Sequence, residues 1–91
     1  MGEKFKSGQI IKHFKRELIA NKDNIGNKYF YKVLGIAQHT ETCEQMLVYE
    51  ALYPPYSMFA RPLELAEGKV DKEKYPTVQQ EDIFEIISFK E

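Results

Sequence analysis

The residues of this 91-residue sequence that could do chemistry are few. It contains two histidines, His13 and His39, and one cysteine, Cys43. A zinc site needs three or four ligands at defined spacing, and neither Cys-x-x-Cys nor His-x-x-x-His occurs, so we expect no metal and no cofactor. Cys43 and His39 share one polar segment without a third group to orient the imidazole, which argues against a thiol nucleophile. The sequence therefore favours a protein without catalytic residues, with a small enzyme that uses the turn from His39 to Glu41 as one alternative.

Aromatic side chains form the more informative set, because the chain has six tyrosines and six phenylalanines. The rings concerned are Tyr29, Phe30, Tyr31, Tyr49, Tyr53, Tyr56 and Phe59. About half of them must fill the core of so small a protein. The others could line a groove for an extended peptide or for unstacked bases. Arg61 is the natural polar anchor, since a guanidinium binds carboxylate or phosphate bidentately, although a cross-strand pair with Glu50 competes for it. The predicted ligand-binding residues are His13, Lys15, Tyr31, His39, Glu41, Thr42, Tyr49, Tyr53 and Arg61.

The charges balance, with 13 basic and 14 acidic residues, which argues against a dedicated binder of duplex DNA. Residues 1–32 nevertheless hold eight basic and three acidic residues, whereas residues 33–91 hold five and eleven. Lys12, Lys15 and Arg16 form a small basic stripe in the first part. Such a stripe is typical of a solvated edge strand and could also contact a phosphate backbone.

Short strands dominate the hydrophobic pattern. The predicted strands span residues 10–14, 29–37, 46–53, 58–60 and 83–89. Residues 63–67 predict one or two helical turns ending at Gly68, residues 18–20 could form another turn within the loop at 17–28, and residues 71–82 are expected to be a surface excursion. About five strands and no long helix indicate an all-β protein, folded as a small closed or half-closed barrel, with an α+β roll as the alternative. We expect one domain at 8–91 after an N-terminal tail at 1–7.

Two turns allow the register to be predicted. If residues 54–57 connect two strands, Tyr53 faces Met58 and Glu50 faces Arg61. If residues 40–43 form the preceding turn, Leu34 faces Tyr49 and Gly35 faces Val48. A glycine within a strand also indicates a bulge or a sharp bend at Gly35.

Four segments together resemble a known family. They read IKHFK at 11–15, YKVLGIAQHTET at 31–42, VYEALY at 48–53 and ARPLE at 60–64. This ordered set is similar to the bacterial family called domain of unknown function 1653, over most of residues 8–71. The connection at 16–28 is longer here than in many members. The resemblance implies an SH3-type small barrel or roll and no particular reaction.

These features predict a non-catalytic binding module that recognises a protein or peptide segment through a tyrosine-rich face. Binding of single-stranded nucleic acid or of a nucleotide is the alternative. The longest apolar run, residues 33–37, is far too short to cross a membrane, so no membrane association is expected. One cysteine and no secretion signal predict a cytoplasmic protein, either a monomer or a weak homodimer.

Overall fold

The computed structural model describes residues 4–19 and 26–89, without the side chains of residues 88 and 89. Its elements, in chain order, are β1 (Gln9–His13), a 3-10 helix (Phe14–Leu18), β2 (Phe30–Gln38), β3 (Gln45–Ala51), β4 (Met58–Pro62), α1 (Leu63–Ala66) and β5 (Phe84–Phe89). The five strands of this described part form one antiparallel sheet in the order β4-β3-β2-β1-β5. The predicted all-β class, with about five strands and a short helical turn, is confirmed.

The sheet is open, because its two edge strands, β4 and β5, are not hydrogen-bonded to each other. It is nevertheless strongly curled. In a flat sheet, four strand spacings would separate the edges by about 19 Å. Instead, the guanidinium carbon of Arg61 on β4 lies 5.4 Å from the ring centre of Phe84 on β5. The described residues therefore form a curled open sheet and not the closed form of the predicted barrel. The SH3-type arrangement stays a prediction.

The register between β2 and β3 contains the predicted irregularity. Gly35 pairs with Val48 as expected, and the pairing shifts between Val33 and Gly35 as in a β-bulge. The predicted pairing of Leu34 with Tyr49 is wrong, because Val33 takes the position opposite Tyr49. The extra residue of the bulge is what displaces Leu34 from the ladder.

The predicted register between β3 and β4 is wrong by three residues. Glu50 lies opposite Met58, and Arg61 lies opposite Leu47, so Glu50 and Arg61 are not a cross-strand pair. The reason is the length of the connection. β3 ends at Ala51, whose N–H donates to the Ser57 carbonyl, and a loop at 52–56 replaces the tight turn assumed at 54–57.

The core lies on one face of the curled sheet. Its buried members are Phe5, Ile11, Tyr31, Val33, Leu47, Tyr49, Ala51, Ala66 and Phe84. Phe84 is only 1% exposed and is contacted by rings from three other strands or their ends. Phe5, which lies in the segment expected to be an N-terminal tail, is also 1% exposed and meets Phe84 edge to face at 6.5 Å.

The segment between α1 and β5 packs against the 3-10 helix and β1. Phe14, Val70 and Val78 form a second buried cluster there, so the predicted surface excursion at 71–82 contributes one residue, Val78, to a buried cluster. The Gln80 side-chain amide donates to backbone carbonyls of Lys12, Asp82 and Ile83, and this ties the segment to the strand ends.

The helical turn predicted at 18–20 occurs earlier, at Phe14–Leu18. The reason is that the Nδ1 atom of His13 accepts a hydrogen bond from the Lys15 N–H and so caps the helix at its start. Of the predicted loop at 17–28, residues 20–25 lie outside the described part of the chain.

Candidate functional site

A cavity of about 240 Å³ opens on the face of the sheet that carries the core. We call it the ring pocket. Its lining residues are His13, Lys15, Tyr29, Tyr31, Tyr49, Phe59 and Arg61. They come from the end of β1, the start of the 3-10 helix, the region of β2, and β3 and β4. The curl of the sheet is what brings these elements around one opening.

Rings at alternating strand positions form the wall of the pocket. Tyr31 and Tyr49 meet at right angles with centroids 5.1 Å apart, and Phe59 lies 5.5 Å from Tyr49 and 6.1 Å from Tyr31. Phe84 packs beneath them, 5.2 Å from the ring of Tyr49. Since side chains two residues apart on a strand share a face, Phe59 and Arg61 of β4 both point to this side.

Two cations, Arg61 and Lys15, border the pocket. Within the described residues, neither Arg61 nor Lys15 has an ion pair shorter than 4.0 Å. The guanidinium of Arg61 instead rests over the ring of Phe84. The pocket is consequently an electropositive opening with an aromatic wall, which suits an anionic group.

His13 is a buried histidine of the pocket with a lowered pKa. It is 8% exposed, stacks on Phe14 at 4.7 Å and meets the edge of Phe84 at 5.1 Å. Burial, the charge of Arg61 and the charge of Lys15, in that order, lower the pKa of His13 from 6.5 to about 4. His13 is therefore neutral at pH 7. Because its Nδ1 atom accepts the Lys15 N–H, the proton resides on Nε2, which is left as a donor.

The tyrosine hydroxyls are also uncharged donors. The hydroxyls of Tyr31 and Tyr53 share a hydrogen bond of 2.8 Å. Burial and this bond raise the pKa of Tyr31, and burial raises the pKa of Tyr49 against the opposing effect of Arg61. The lining residues include no carboxylate, and the two formal charges among them, on Lys15 and Arg61, are both positive.

Five of the nine predicted site residues line the ring pocket. They are His13, Lys15, Tyr31, Tyr49 and Arg61. Tyr53 lies behind Tyr31 and contacts it through the hydroxyl pair. Tyr29 and Phe59 belonged to the ring set but were not chosen as site residues. Strand periodicity could have found Phe59, because it lies two residues before Arg61.

The other three predicted residues, His39, Glu41 and Thr42, lie in the turn between β2 and β3. The Nδ1 atom of His39 accepts hydrogen bonds from the N–H groups of Glu41 and Thr42, at 3.1 and 3.3 Å. The Thr42 hydroxyl accepts from the N–H of Glu44. The side chains of His39 and Thr42 therefore stabilise the turn, Glu41 contributes its backbone N–H, and none of the three residues lines the ring pocket.

The three residues of the basic stripe, Lys12, Lys15 and Arg16, do not form one surface, because each contacts a different part of the protein. Lys12 pairs with Glu85 at 3.2 Å. Arg16 donates to the carbonyls of Gly26 and Lys28 and covers the ring of Phe30 at 4.1 Å. Of the three stripe residues, only Lys15 lines the ring pocket.

Two larger depressions lack such a set of groups. One, of about 450 Å³, is lined by Glu44, Gln45, Leu63, Glu64 and Glu67, so it is an acidic hollow without a ring. The other, of about 360 Å³, contains the Lys12–Glu85 ion pair and the Glu17 carboxylate. That carboxylate accepts the N–H groups of Gln79 and Gln80, so its function is structural.

The fold and the pocket define a small curled β-sheet domain with an electropositive, ring-lined opening. Residues 9–84 match the family described as "Protein of unknown function (DUF1653)", and the chain belongs to this family. No curated protein and no solved structure is significantly similar to it. Among the described residues, there is no group of three or more potential metal ligands, and no helix has the length and apolarity needed to span a membrane.

Proposed function

We propose that this protein is a non-catalytic binding module that holds an acidic group of a protein segment in the ring pocket. The observation that carries the proposal is the pair of cations, Arg61 and Lys15, which border an aromatic cavity and have no carboxylate partner among the described residues. An acidic side chain of a partner would neutralise them, and its apolar stem would lie against Tyr49 and Phe59.

The hydrogen-bond donors around the pocket favour an anionic ligand. Arg61 and Lys15 supply charged donors, and His13 and the tyrosines supply neutral ones. Hydrogen bonds from ionised donors to carboxylates are about twice as strong as neutral ones, and a guanidinium can bind both oxygens. A cationic ligand would meet two like charges, which argues against it.

The size and charges of the pocket favour a protein side chain over a nucleotide. A volume of about 240 Å³ is below the usual range for whole small molecules, about 300–1,000 Å³. A nucleic-acid strand needs a track of cations, and Lys12 and Arg16 are engaged elsewhere. The turn at His39 has less support still, because its Nδ1 atom is occupied by two backbone donors.

A displayed library of random heptapeptides tests the proposal. We expect the selected peptides to be enriched in Asp or Glu and to shift the amide NMR signals of residues around Tyr49, Phe59 and Arg61. Arg61→Gln should weaken binding by about tenfold or more, because one charge-assisted contact is lost. Arg16→Gln is the matched control, since it removes the same charge outside the pocket, and it should leave the affinity within about twofold.

Three results would contradict the proposal. One is that both arginine variants bind the selected peptides equally well. Another is that the shifts map to the turn at His39. The third is that oligothymidine or AMP binds at the ring pocket more tightly than any selected peptide, with a steep dependence on salt, which would establish the nucleic-acid alternative.

A further inference from the structure

The open edge of β4 adds a binding mode to the ring pocket. We infer that the partner segment binds as an additional strand along β4 and thereby delivers its acidic side chain to Arg61 and Lys15. This inference rests on the proposed function. It deepens that proposal by stating that the segment is extended and that backbone hydrogen bonds hold it.

The pairing with β3 shows which backbone groups of β4 point towards β3 and which point away from it. The N–H of Ala51 donates to the carbonyl of Ser57, which makes these two residues a hydrogen-bonded pair. In an antiparallel ladder such pairs alternate, so Phe59 and Arg61 face β3 with their backbone groups. Met58 and Ala60 consequently direct their N–H and carbonyl groups to the outer side.

That outer side is open. β4 is the last strand of the sheet, and no described strand pairs with its far edge. Met58 is 66% exposed, Phe59 is 41% exposed, and Ala60 is also exposed. A strand edge with unpaired backbone groups is a ready template for an extended peptide.

The same geometry connects the edge with the pocket. The side chains of Phe59 and Arg61 point to the pocket face, and every second residue of an added strand would point the same way. An added strand would lie about 4.8 Å beyond β4. An Asp or Glu on its pocket side then comes within reach of the Arg61 guanidinium. The charge of the pocket therefore determines which segments can use the edge.

The other edge strand does not offer this combination. β5 contributes Phe84, which is buried beneath the pocket, and its Glu85 is already paired with Lys12. Neither residue lines the ring pocket. An added strand on β5 would gain backbone hydrogen bonds without access to Arg61, so β4 is the edge that the acidic segment would select.

Ala60→Pro is the decisive variant. Proline removes the one outward N–H of residue 60, and it is tolerated on edge strands where the N–H faces solvent. Phe59 is already extended, as the residue before a proline must be. The probe is the tightest heptapeptide selected in the library experiment. We expect Ala60→Pro to weaken its binding about tenfold, whereas Ala60→Ser, which keeps the N–H, stays within about twofold.

Hydrogen exchange provides a second measurement that needs no variant. Binding of the peptide to the wild-type protein should slow exchange at the amides of Met58 and Ala60. If Ala60→Pro binds like the wild type and these amides exchange as before while Arg61→Gln still loses affinity, the strand mode is wrong and the pocket proposal survives. If Arg61→Gln also binds normally, both fail. Protection of the two amides in the free protein that grows with protein concentration would mean that a second copy occupies the edge, which also overturns the inference.

Discussion

Protonation of His13 should destabilise the folded protein in a defined pH window. The imidazole is buried, Arg61 and Lys15 lie near it, and its Nδ1 atom must stay unprotonated to cap the 3-10 helix. Its pKa is about 4 in the folded chain, against 6.5 as the ordinary value. Above pH 6.5 the residue is neutral in both states. Between pH 6.5 and 4 only the unfolded chain takes up the proton, so the free energy of unfolding falls as the pH falls.

The size of this effect follows from the shift of the pKa. A change from 6.5 to about 4 corresponds to roughly 3 kcal/mol in favour of the neutral form. Solvent reaches the pocket side of the imidazole and screens the two cations, so we expect about 2 kcal/mol. Below pH 4 both states are protonated, and His13 causes no further loss.

His13→Asn isolates the contribution of the imidazole. Asparagine keeps a side-chain acceptor for the Lys15 N–H, as helix caps commonly do, but does not titrate. Urea unfolding at pH 7, 6, 5 and 4 should show wild type losing about 2 kcal/mol more than the variant over this range. Glu17, whose pKa is lowered by the backbone N–H of Gln79, adds a loss below about pH 4.5 that both proteins share. Parallel curves for the two proteins, or an NMR titration of His13 with a midpoint near 6.5, would refute the reasoning.

Two further predictions concern the floor and the wall of the pocket. Phe84→Ala should lower the free energy of unfolding by about 3–5 kcal/mol, because it leaves a cavity at the centre of the core. Ile87→Ala, at a half-exposed position of the same strand, should lower it by less than about 1 kcal/mol. Equal losses in urea unfolding would contradict this prediction. Tyr31→Phe should cost about 1 kcal/mol, because it removes the hydroxyl that pairs with Tyr53, and an unchanged unfolding midpoint would show that this hydrogen bond contributes nothing.

The strands could be predicted because their residue types strongly favour extended structure. Dense β-branched and aromatic runs gave β2 and β3 to within a few residues, and Gly35 marked the bulge. The register of β4 could not be predicted in the same way. It depends on where β3 ends, and the hydrogen bond from Ala51 to Ser57, which sets that end, leaves no periodic trace in the sequence.

The site was predictable in chemistry and less so in geometry. Arg61 was predicted as an anchor because a guanidinium binds carboxylate or phosphate. The alternative partner expected for it, Glu50, lies opposite Met58 instead, because the register differs by three residues from the predicted one. His13 and His39 were both predicted as ligand-binding residues. Their functions differ because His13 meets Phe84 across the curled sheet, a contact between residues 71 positions apart that no local pattern reveals.

The core and the candidate site share residues in this small domain, and this determines which experiments can separate binding from folding. Phe84, Tyr31 and Tyr49 are buried core members and also form the floor or wall of the pocket. Their removal must therefore reduce stability and affinity together. Arg61 and Ala60 lie on the exposed edge strand, outside both buried clusters. A change at either position removes no buried side chain, but Arg61 does contact the ring of Phe84. A loss of affinity there therefore reports on binding when the free energy of unfolding is unchanged.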